Sequence, residues 1–421
     1  MAKYLVQKSE PLHGEVEISG AKNAVLPIMA ASILSEGECI LRDVPALRDV
    51  TVLSELLTYL GAEVKQIEAN TYTINTPEIK NIEAPFDLVK KMRASFLVAG
   101  PLLARKGSAK VYMPGGCTIG ARPIELHLKG FQALGAEIIQ NDVESYVQIS
   151  CERLKGAVIY LDFPSVGATE NIMMAAALAE GTTVIENAAE EPEIVDLANF
   201  LNKMGAKVKG AGTETIKIEG VEHLGGCNHG IIPDRIETGT FMVAAAMTRG
   251  RILIKNAVTS HVKAISAKLS ECGVVIEETD EGLLVKGDVN PLVSTNIKTM
   301  PYPGFPTDIQ SPFMAFLTTV EGSSVVIENI FENRFMHVPE LNRMGASIKI
   351  EGRSAIIYGG KPLQGSKVIS TDLRAGAAMV LAGLVAEGTT EISEIYHIER
   401  GYENFIEKFR KLGATILRID E

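Results

Sequence analysis

The chain has 421 residues, of which 46% are hydrophobic and 22% charged, and its formal net charge is −11. This length is too great for a single hydrophobic core and favours two to three domains, while the composition is that of a globular protein in water. The negative charge argues against a nucleic-acid partner held mainly through phosphate contacts. An anionic substrate would therefore need a local basic pocket in an otherwise acidic protein.

Cysteine use and the N-terminal residues indicate the compartment. Five widely spaced cysteines without a CxxC pair indicate neither a disulfide framework nor a zinc site, and no metal or cofactor is expected. The first residues, MAKYLVQKSEPLHG, lack the apolar core of a signal peptide, and no run of about 18 apolar residues occurs. We therefore expect a cytoplasmic protein.

An internal repeat organises the chain. A hydrophobic-Gly-Ala signature recurs six times at intervals of 68–74 residues, and only the fourth copy replaces the alanine by valine. The six signatures are Leu60-Gly61-Ala62, Leu134-Gly135-Ala136, Met204-Gly205-Ala206, Cys272-Gly273-Val274, Met344-Gly345-Ala346 and Leu412-Gly413-Ala414. Each copy predicts a small, apolar helix, a β-branched strand, a second helix that ends at the signature, and another strand.

A second glycine follows the first helix of each copy, where we expect a helix C′ position. These glycines are Gly37, Gly107, Gly181, Gly250, Gly322 and Gly388. Runs such as MAAALA and MVLAGLVA are apolar on all sides, which favours helices buried inside and sheets outside. Six copies of helix, strand, helix and strand predict an α/β fold with right-handed crossovers. We place a domain boundary between the third and fourth copies, near His229–Pro233.

The stretch from Pro114 to Gly130, PGGCTIGARPIELHLKG, concentrates residues that could carry chemistry. Its glycines let the backbone approach a ligand closely. Arg122 and a helix predicted to open at Pro123 offer positive charge and N–H groups to an anion. Such a field lowers a thiol pKa, so Cys117 should be reactive. From these residues alone, an ordinary glycine loop with a buried cysteine is equally favoured.

The stretch resembles the catalytic loop of the UDP-N-acetylglucosamine enolpyruvyl transferases, also called 1-carboxyvinyltransferases, which perform the first committed step of bacterial peptidoglycan synthesis. Matching segments run in order from Ser19 to Arg400. The resemblance implies an inside-out α/β barrel with two domains of three repeats each. Residues 21–230 would form the domain with the cysteine loop, and residues 1–20 with 231–421 would form the other.

The resemblance also implies a reaction. Phosphoenolpyruvate is protonated at C3 while the 3′-hydroxyl of UDP-N-acetylglucosamine attacks C2, and the tetrahedral intermediate then loses phosphate. Cys117 would be the proton donor, able to bond covalently to phosphoenolpyruvate and to be alkylated by the epoxide fosfomycin. Asp308, in PYPGFPTDIQSP, would be the general base for the sugar hydroxyl.

A basic set in this acidic chain matches the family's phosphoenolpyruvate contacts. Any one of these side chains is as consistent with a surface ion pair of little energy. By resemblance, Lys22, Arg122 and Arg400 would face the phosphate, and Arg334 and Arg374 the carboxylate. Asn23 would accompany Lys22, and Asp372 lies beside Arg374 in STDLRAGAA.

Further matches are to the family's nucleotide-sugar contacts. They are Arg93, Arg122, Pro123, Ile124, Glu125, Leu126, Ser165, Val166, Gly167, Asp308 and Ile330, the last through its backbone. Some relatives have a lysine just before the SVGAT segment, where this chain has Phe163-Pro164, which argues against a phosphate contact there. His127 and His397 are interpreted as structural or supporting residues.

Two alternatives remain open at this point. One is the sister transferase that uses shikimate 3-phosphate, although this chain has Lys22-Asn23 rather than that enzyme's Lys-Ser and has the cysteine loop. The other is a non-catalytic scaffold, which would have lost Cys117, Asp308 or the arginines. The expected partners are the two small-molecule substrates, without nucleic acid or membrane, and the oligomeric state is not determined by the sequence.

Overall fold

A computed structural model of the chain describes residues 2–113, 119–120 and 124–420, except for the side chains of Lys91 and Arg93. The strands in these ranges are β1 Lys3–Gln7, β2 His13–Glu17, β3 Cys39–Arg42, β4 Glu63–Glu68, β5 Thr71–Asn75, β6 Glu83–Ala84, β7 Ser108–Tyr112, β8 Glu137–Asn141, β9 Tyr146–Ser150, β10 Val158–Tyr160, β11 Thr182–Glu186, β12 Lys207–Lys209, β13 Thr215–Glu219, β14 Asn228–Gly230, β15 Arg251–Lys255, β16 Val275–Thr279, β17 Gly282–Lys286, β18 Ile297–Lys298, β19 Gly322–Ile327, β20 Ile348–Glu351, β21 Ser354–Gly359, β22 Lys367–Ile369, β23 Thr389–Ser393 and β24 Ile416–Ile419.

The α-helices of the same ranges are α1 Lys22–Ala31, α2 Arg48–Leu60, α3 Phe86–Lys91, α4 Ala99–Lys106, α5 Glu125–Ala133, α6 Val166–Ala176, α7 Pro192–Lys203, α8 Arg235–Met247, α9 Lys263–Glu271, α10 Thr307–Thr319, α11 Val338–Arg343, α12 Leu373–Val385, α13 Tyr396–Glu399 and α14 Phe405–Lys411. Short 3₁₀ helices cover Ser32–Leu34, Arg93–Val98 and Thr259–Val262. No helix in the described ranges is long and apolar enough to cross a lipid bilayer.

The described residues divide into two compact units. The N-terminal unit holds residues 20–113 and 124–232, and the C-terminal unit holds residues 2–19, 119–120 and 233–420. Each unit contains three of the six four-stranded sheets found among these residues. The sheet orders are β14-β3-β5-β4, β6-β7-β9-β8 and β10-β11-β13-β12 in the N-terminal unit, and β2-β15-β17-β16, β18-β19-β21-β20 and β22-β23-β1-β24 in the C-terminal unit.

All six sheets have the same pattern of parallel and antiparallel pairing, which the third copy illustrates. Strand β10 pairs in parallel with β11, the two being joined through α6, and Val158 lies opposite Val184. Strand β13 then pairs antiparallel with β11, and β12 with β13. The predicted order of helix, strand, helix and strand is confirmed, and each sheet has two further strands. Three-residue strands such as β10 are too short to show an alternating pattern in sequence.

The first helix of each copy is buried on nearly all sides. In α12, every residue from Arg374 to Leu384 is buried, and α8 and α10 are buried to a similar extent. These three helices pack against one another, while α1, α4 and α6 contribute to the core of the N-terminal unit. Strands such as β13 alternate exposed and buried residues, as expected for a sheet with one solvated face. The predicted α/β architecture of buried helices and outer sheets is therefore confirmed.

The repeated Gly-Ala signature has a physical explanation. All six glycines have a left-handed φ between 95° and 118° and end the second helix of their copy. The next N–H donates to a carbonyl five residues back, as from Ala62 to Leu57 at 2.9 Å and from Val274 to Leu269 at 3.0 Å. This is the Schellman motif, in which glycine is favoured because it lacks Cβ. The prediction of C′ positions for the other glycine set is wrong except at Gly107, which directly follows α4.

Candidate active site

Asp308 is the centre of a charged cluster in the C-terminal unit. It lies in the first turn of α10. Arg334 Nη2 donates to Asp308 Oδ1 at 2.8 Å, and Arg374 donates to Oδ2 through Nη2 at 3.1 Å and Nε at 3.3 Å. Both arginine side chains are only 3% exposed, whereas the Asp308 side chain is 26% exposed. Asp308 is thus the accessible member of a cluster whose cations are buried.

Arg374 is held in place by its own helix and by an aromatic ring. Asp372 caps α12, since its Oδ1 accepts the backbone N–H groups of Arg374 at 2.8 Å and Ala375 at 3.0 Å. The guanidinium lies 5.1 Å from the ring centre of Tyr402, a cation–π distance. The Tyr402 hydroxyl in turn hydrogen-bonds the Thr240 hydroxyl at 2.9 Å. The sequence prediction of Asp372 beside Arg374 therefore corresponds to a helix cap.

The two arginines retain donors that Asp308 does not use. Within the described ranges, the buried Nε and Nη1 of Arg334 and Nη1 of Arg374 have no hydrogen-bond acceptor. Buried N–H groups without acceptors are costly, and those of a guanidinium match a carboxylate well. The cluster is therefore suited to bind a small anion beside Asp308.

His337 lies close to this cluster and stays neutral near pH 7. It is buried at the start of α11, and neither ring nitrogen has a hydrogen-bond partner among the described residues. Burial lowers its pKa to about 4; the charge of Asp372 opposes the shift and that of Arg334 reinforces it. The imidazole therefore adds no positive charge to the arginine pair.

The loop after β19 contains the candidate Ile330. Its N–H donates to Glu328 Oε1 at 2.8 Å, so a backbone contact from Ile330 to a substrate would have to use the C=O. The same carboxylate accepts from Phe331 N at 3.2 Å, Thr299 Oγ1 at 2.8 Å and Thr307 Oγ1 at 2.9 Å. Sequence reasoning missed Glu328, because a single acid after a strand does not indicate which distant groups it will meet.

The end of the glycine stretch lies against the same loop. Asn333 N donates to the carbonyl of Ile119 at 3.0 Å. Gly120 has a φ of 145°, which favours glycine, and a Cβ there would lie 3.2 Å from the backbone nitrogen of Glu332. The predictions for Cys117, Arg122 and Pro123 fall outside the described residues.

Lys22 and Asn23 open helix α1 of the N-terminal unit. Lys22 Nζ lies 2.9 Å from Asp49 Oδ2, and the two side chains are 14% and 4% exposed. A cation at a helix N-terminus adds to the positive end of the helix dipole and attracts anions. Asp49, in the first turn of α2, holds this cation in a fixed position and was not among the predicted residues. Asn23 is exposed.

The starts of α5 and α6 carry further candidates. Helix α5 begins at Glu125, which is exposed, while Ile124 before it is buried. Ser165 caps α6 by accepting the Ala168 N–H at 3.4 Å, and Val166 is the first helical residue. A Cβ on Gly167 would come within 3.2 Å of His127 Cε1, so the glycine permits a close contact between the two helices.

Asn171 joins three segments of this region. Its amide donates to the carbonyl of Phe96 at 3.1 Å and to His127 Nδ1 at 3.0 Å, and its Oδ1 accepts the Gly100 N–H at 2.9 Å. Phe96 lies in the 3₁₀ helix that starts at Arg93. Sequence reasoning gave Asn171 no role, although a polar residue among apolar ones is a signal for buried hydrogen bonding.

The remaining predicted residues, Arg400, Leu126 and His397, lie in or directly after helices. Arg400 is half-buried and directly follows α13, and Leu126 is half-buried in α5. His397 precedes Arg400 in the same turn, and burial, reinforced by the charge of Arg400, lowers its pKa.

Comparison with known proteins agrees with these observations. A family model described as EPSP synthase (3-phosphoshikimate 1-carboxyvinyltransferase) matches residues 6–409. The chain is 63% identical to UDP-N-acetylglucosamine 1-carboxyvinyltransferase 1 of Caldanaerobacter subterraneus subsp. tengcongensis, over 99% of each chain. It is 58% identical to UDP-N-acetylglucosamine 1-carboxyvinyltransferase 2 of Carboxydothermus hydrogenoformans, over 100% of each. The crystal structure of the enolpyruvyl transferase NikO from Streptomyces tendae has a TM-score of 0.88 at 24% identity, covering 99% of this chain and 98% of that one.

At 24% identity, the similarity to NikO concerns the fold alone: this chain has the α/β fold of that enolpyruvyl transferase. The identity to the curated relatives extends over essentially the full length of both chains. The chain therefore belongs to the family of UDP-N-acetylglucosamine 1-carboxyvinyltransferases. The resemblance found in the sequence is confirmed.

Proposed function

We propose that the chain transfers the enolpyruvyl group of phosphoenolpyruvate to the 3′-hydroxyl of UDP-N-acetylglucosamine and releases inorganic phosphate. The observation that carries this proposal is the 63% identity, over 99% of the chain, to a relative named for this carboxyvinyl transfer. A transferase of this kind serves peptidoglycan synthesis and hence cell-wall growth and division. The Asp308 cluster supports the proposal because it combines a possible base with donors for an anion.

Asp308 is assigned as the general base that accepts the proton of the 3′-hydroxyl. Its position in the first turn of α10 and its partial exposure support this role, because a base must reach its substrate. Arg334 and Arg374 fix the direction of the carboxylate from opposite oxygens. Removing the hydroxyl proton as the oxygen attacks C2 avoids a positively charged ether oxygen in the intermediate.

Arg334 and Arg374 are assigned to the carboxylate of phosphoenolpyruvate. Their buried N–H groups that lack acceptors among the described residues support this, since a carboxylate can accept two of them. The phosphate is assigned to Lys22, Arg122 and Arg400, with Asn23 beside them. For Lys22, the support is its place at the N-terminus of α1 and its fixed pairing with Asp49.

The reaction proceeds by addition and elimination. In the addition, C3 of phosphoenolpyruvate gains a proton, assigned to the thiol of Cys117, while the sugar oxygen bonds to C2. In the elimination, C3 returns a proton to the thiolate of Cys117, the electron pair of that C–H bond forms the C2=C3 double bond, and the bond from C2 to the phosphate oxygen breaks, so that phosphate leaves with the bonding electron pair. Cationic side chains stabilise the charge that develops on the carboxylate and phosphate.

Recognition of the nucleotide sugar is assigned to residues at the starts of α5, α6, α10 and the 3₁₀ helix Arg93–Val98, and to the loop after β19. The assigned residues are Arg93, Arg122, Pro123, Ile124, Glu125, Leu126, Ser165, Val166, Gly167, Asp308 and Ile330. The close contact of Gly167 with His127, and the hydrogen bonds that Asn171 makes to both neighbouring segments, support a rigid platform for those of these residues that lie in the N-terminal unit. The Ile330 carbonyl would be the backbone acceptor.

The decisive experiment measures phosphate release from phosphoenolpyruvate with UDP-N-acetylglucosamine as acceptor. A parallel reaction offers shikimate 3-phosphate, because the matching family model is described by that activity. A Cys117→Ser variant tests the proton donor. Release that requires the nucleotide sugar and fails in the variant is the expected result.

The other outcomes separate the alternatives. Release with shikimate 3-phosphate alone would overturn the assigned acceptor. Release that survives the serine substitution would keep the transfer but exclude Cys117 as the donor. No release with either acceptor would leave a binding scaffold on this fold.

A further inference from the structure

Glu328 is a buried carboxylate with four hydrogen-bond donors from three separate segments. It directly follows β19 and is 1% exposed. Its Oε1 accepts the hydroxyl of Thr299 at 2.8 Å and the N–H groups of Ile330 at 2.8 Å and Phe331 at 3.2 Å. Its Oε2 accepts the hydroxyl of Thr307 at 2.9 Å. A carboxylate so enclosed is satisfied by the protein itself, which excludes direct contact with a substrate.

Two of these segments are the ones that position the Asp308 cluster. Thr307 is the first residue of α10, and Asp308 is the second. Phe331 lies in the loop that leads to Arg334, whose guanidinium is 5.3 Å from the Phe331 ring centre. One carboxylate therefore holds both the helix start that carries Asp308 and the loop that carries Arg334, and these two side chains form an ion pair at 2.8 Å.

The position of Glu328, directly after the strand that is second in its sheet order, can be compared with the same position in the other copies of the repeat. In four copies, the residue directly after this strand (β3, β11, β15 or β23) has a left-handed φ. The values are 58° for Asp43, 54° for Asn187, 62° for Asn256 and 57° for Glu394. Such a residue turns the chain sharply after the strand.

Two of these side chains bind within their own sheet. Asn187 donates to the carbonyl of Leu161, next to β10, at 2.6 Å, and Asn256 donates to Glu17 in β2 at 3.0 Å.

The fifth copy departs from this pattern at Glu328. Glu328 does not have a left-handed φ. Its carboxylate accepts hydrogen bonds from the following loop, through Ile330 N, and from the start of α10, through Thr307 Oγ1. Met113, which follows β7 in the second copy, occupies the same position and likewise has no left-handed φ. The stretch that contains Cys117 begins directly after it. In the fifth copy this position therefore connects segments through its side chain instead of turning the chain.

We propose that Glu328 is a positioning residue for enolpyruvyl transfer: it sets the Ile330 backbone and the start of α10 so that Asp308 and the Ile330 carbonyl face the nucleotide sugar together. This inference rests on the proposed roles of Asp308 and Ile330. It adds a residue that neither touches substrate nor carries a recognisable sequence motif. The energetic reason is that four donors share one buried acceptor group, so its loss would leave several polar groups unsatisfied at once.

The test compares three variants with the wild-type chain in steady-state kinetics with both substrates. In Glu328→Ala we expect kcat to fall about 100-fold and KM for UDP-N-acetylglucosamine to rise about tenfold, since small displacements of reacting groups have effects of this size. In Glu328→Gln we expect kcat within about threefold of the wild type, because the amide oxygen keeps the donors of Oε1 and the Thr307 hydroxyl can turn to accept from the NH₂.

The matched control is Glu340→Ala. Glu340 is also buried in the C-terminal unit, but it accepts the Ile369 N–H at 3.0 Å and lies 3.5 Å from Arg343 Nη1, so Glu340→Ala is expected to keep kcat. Amide hydrogen exchange of Ile330 and Phe331 gives a readout independent of activity. We expect exchange at both to be at least about tenfold faster in Glu328→Ala and unchanged in Glu340→Ala.

Each outcome decides the proposal. Unchanged kcat in Glu328→Ala, or an equal loss in Glu340→Ala, would overturn it in favour of a purely structural role.

If Glu328→Ala does not fold, Thr307→Val serves as the second variant, because it removes only the hydrogen bond to Oε2. We expect it to fold and to lose about tenfold in kcat, consistent with one hydrogen bond to a charged group. An unchanged kcat in Thr307→Val would overturn the proposal. If the wild-type chain transfers to neither acceptor, the proposed function fails, and unchanged exchange at Ile330 would then overturn the positioning role separately.

Discussion

Asp308 accepts a hydrogen bond at 2.8 Å from Arg334, a residue that is almost completely buried. The same carboxylate is bound from its other oxygen by Arg374. Two buried cations thus share one partly exposed anion, and each keeps N–H groups for which no described residue supplies an acceptor. A second carboxylate entering beside Asp308 would find donors already in place, which supports the proposed binding of phosphoenolpyruvate there.

The substitution Asp308→Asn separates the proposed role of Asp308 as a base from its role as an arginine partner. We expect kcat to fall by roughly 10²–10⁴-fold, the usual contribution of a positioned general base. Phosphoenolpyruvate binding should not weaken, because the variant removes an anion that competes for the arginines. Kinetics and equilibrium binding of phosphoenolpyruvate measure the two effects.

The control for this variant is Asp288→Asn in the same unit. Asp288 also receives two hydrogen bonds from one arginine, Arg251, at 3.0 and 2.8 Å, but this pair is exposed and distant in sequence from every candidate. We expect it to leave kcat unchanged. Retention of wild-type kcat in Asp308→Asn would exclude Asp308 as the base.

The pair of Lys22 and Asp49 predicts a linked effect on stability and affinity. Asp49→Asn leaves a largely buried ammonium without its carboxylate, so the free energy of unfolding should fall by about 3 kcal/mol. Lys22 should also lose its fixed position, and we expect KM for phosphoenolpyruvate to rise about tenfold, the value of one charge-assisted hydrogen bond. Denaturant unfolding and substrate kinetics measure the two quantities.

A matched exposed pair gives the comparison. Glu63 and Lys65 are 3.0 Å apart with side chains 63% and 67% exposed, and Glu63→Gln should change the free energy of unfolding by less than about 1 kcal/mol. Equal effects of the two substitutions would show that burial of the Lys22 pair has no energetic consequence.

His337 predicts a pH dependence of stability with a definite sign. Its pKa is about 4 in the folded chain, against an ordinary value of 6.5, so the unfolded chain binds more protons between these values. Stability should therefore be full above pH 6.5 and decrease as the pH falls toward 4, by up to about 3 kcal/mol from this group. The variant His337→Phe removes the titration, so between pH 6.5 and 4 its unfolding free energy should fall less than that of the wild type. Parallel curves for the two proteins would contradict the prediction.

The repeat could be predicted from the sequence because its signature glycines and apolar runs each reflect a local feature of the chain. Gly61 and its five equivalents occur every 70 residues or so because a helix C-terminus needs a left-handed residue there, and the apolar runs follow from burial of α6 and α12. Strands of three residues, such as β10, could not be found because they are defined by a neighbour more than twenty residues away.

The site residues that the sequence did not reveal are those that act through distant partners. Asp49 contributes to the site by pairing with Lys22, and Glu328 by accepting hydrogen bonds from Thr299 and Thr307. The local sequence around each acid does not indicate these partners. The resemblance selected residues assigned to substrate contacts, so Asp308 and Arg334 were named while the group that connects their segments was not. Spacing in sequence also could not show that the Ile330 N–H is already used by Glu328.

Two signature glycines allow the cost of the left-handed turn to be separated from the cost of a steric clash. Gly205 has a φ of 107° and nothing within 4 Å of an added Cβ, whereas Gly61 has a φ of 118° and an added Cβ would lie 2.6 Å from the carbonyl oxygen of Glu78. Gly205→Ala should therefore lower the free energy of unfolding by about 1 kcal/mol, the conformational cost alone. Gly61→Ala should lower it by about 3 kcal/mol, because the backbone near Glu78 must also move. Denaturant unfolding of both variants measures the difference, and equal losses would mean that the N-terminal unit absorbs the clash at Glu78 without strain.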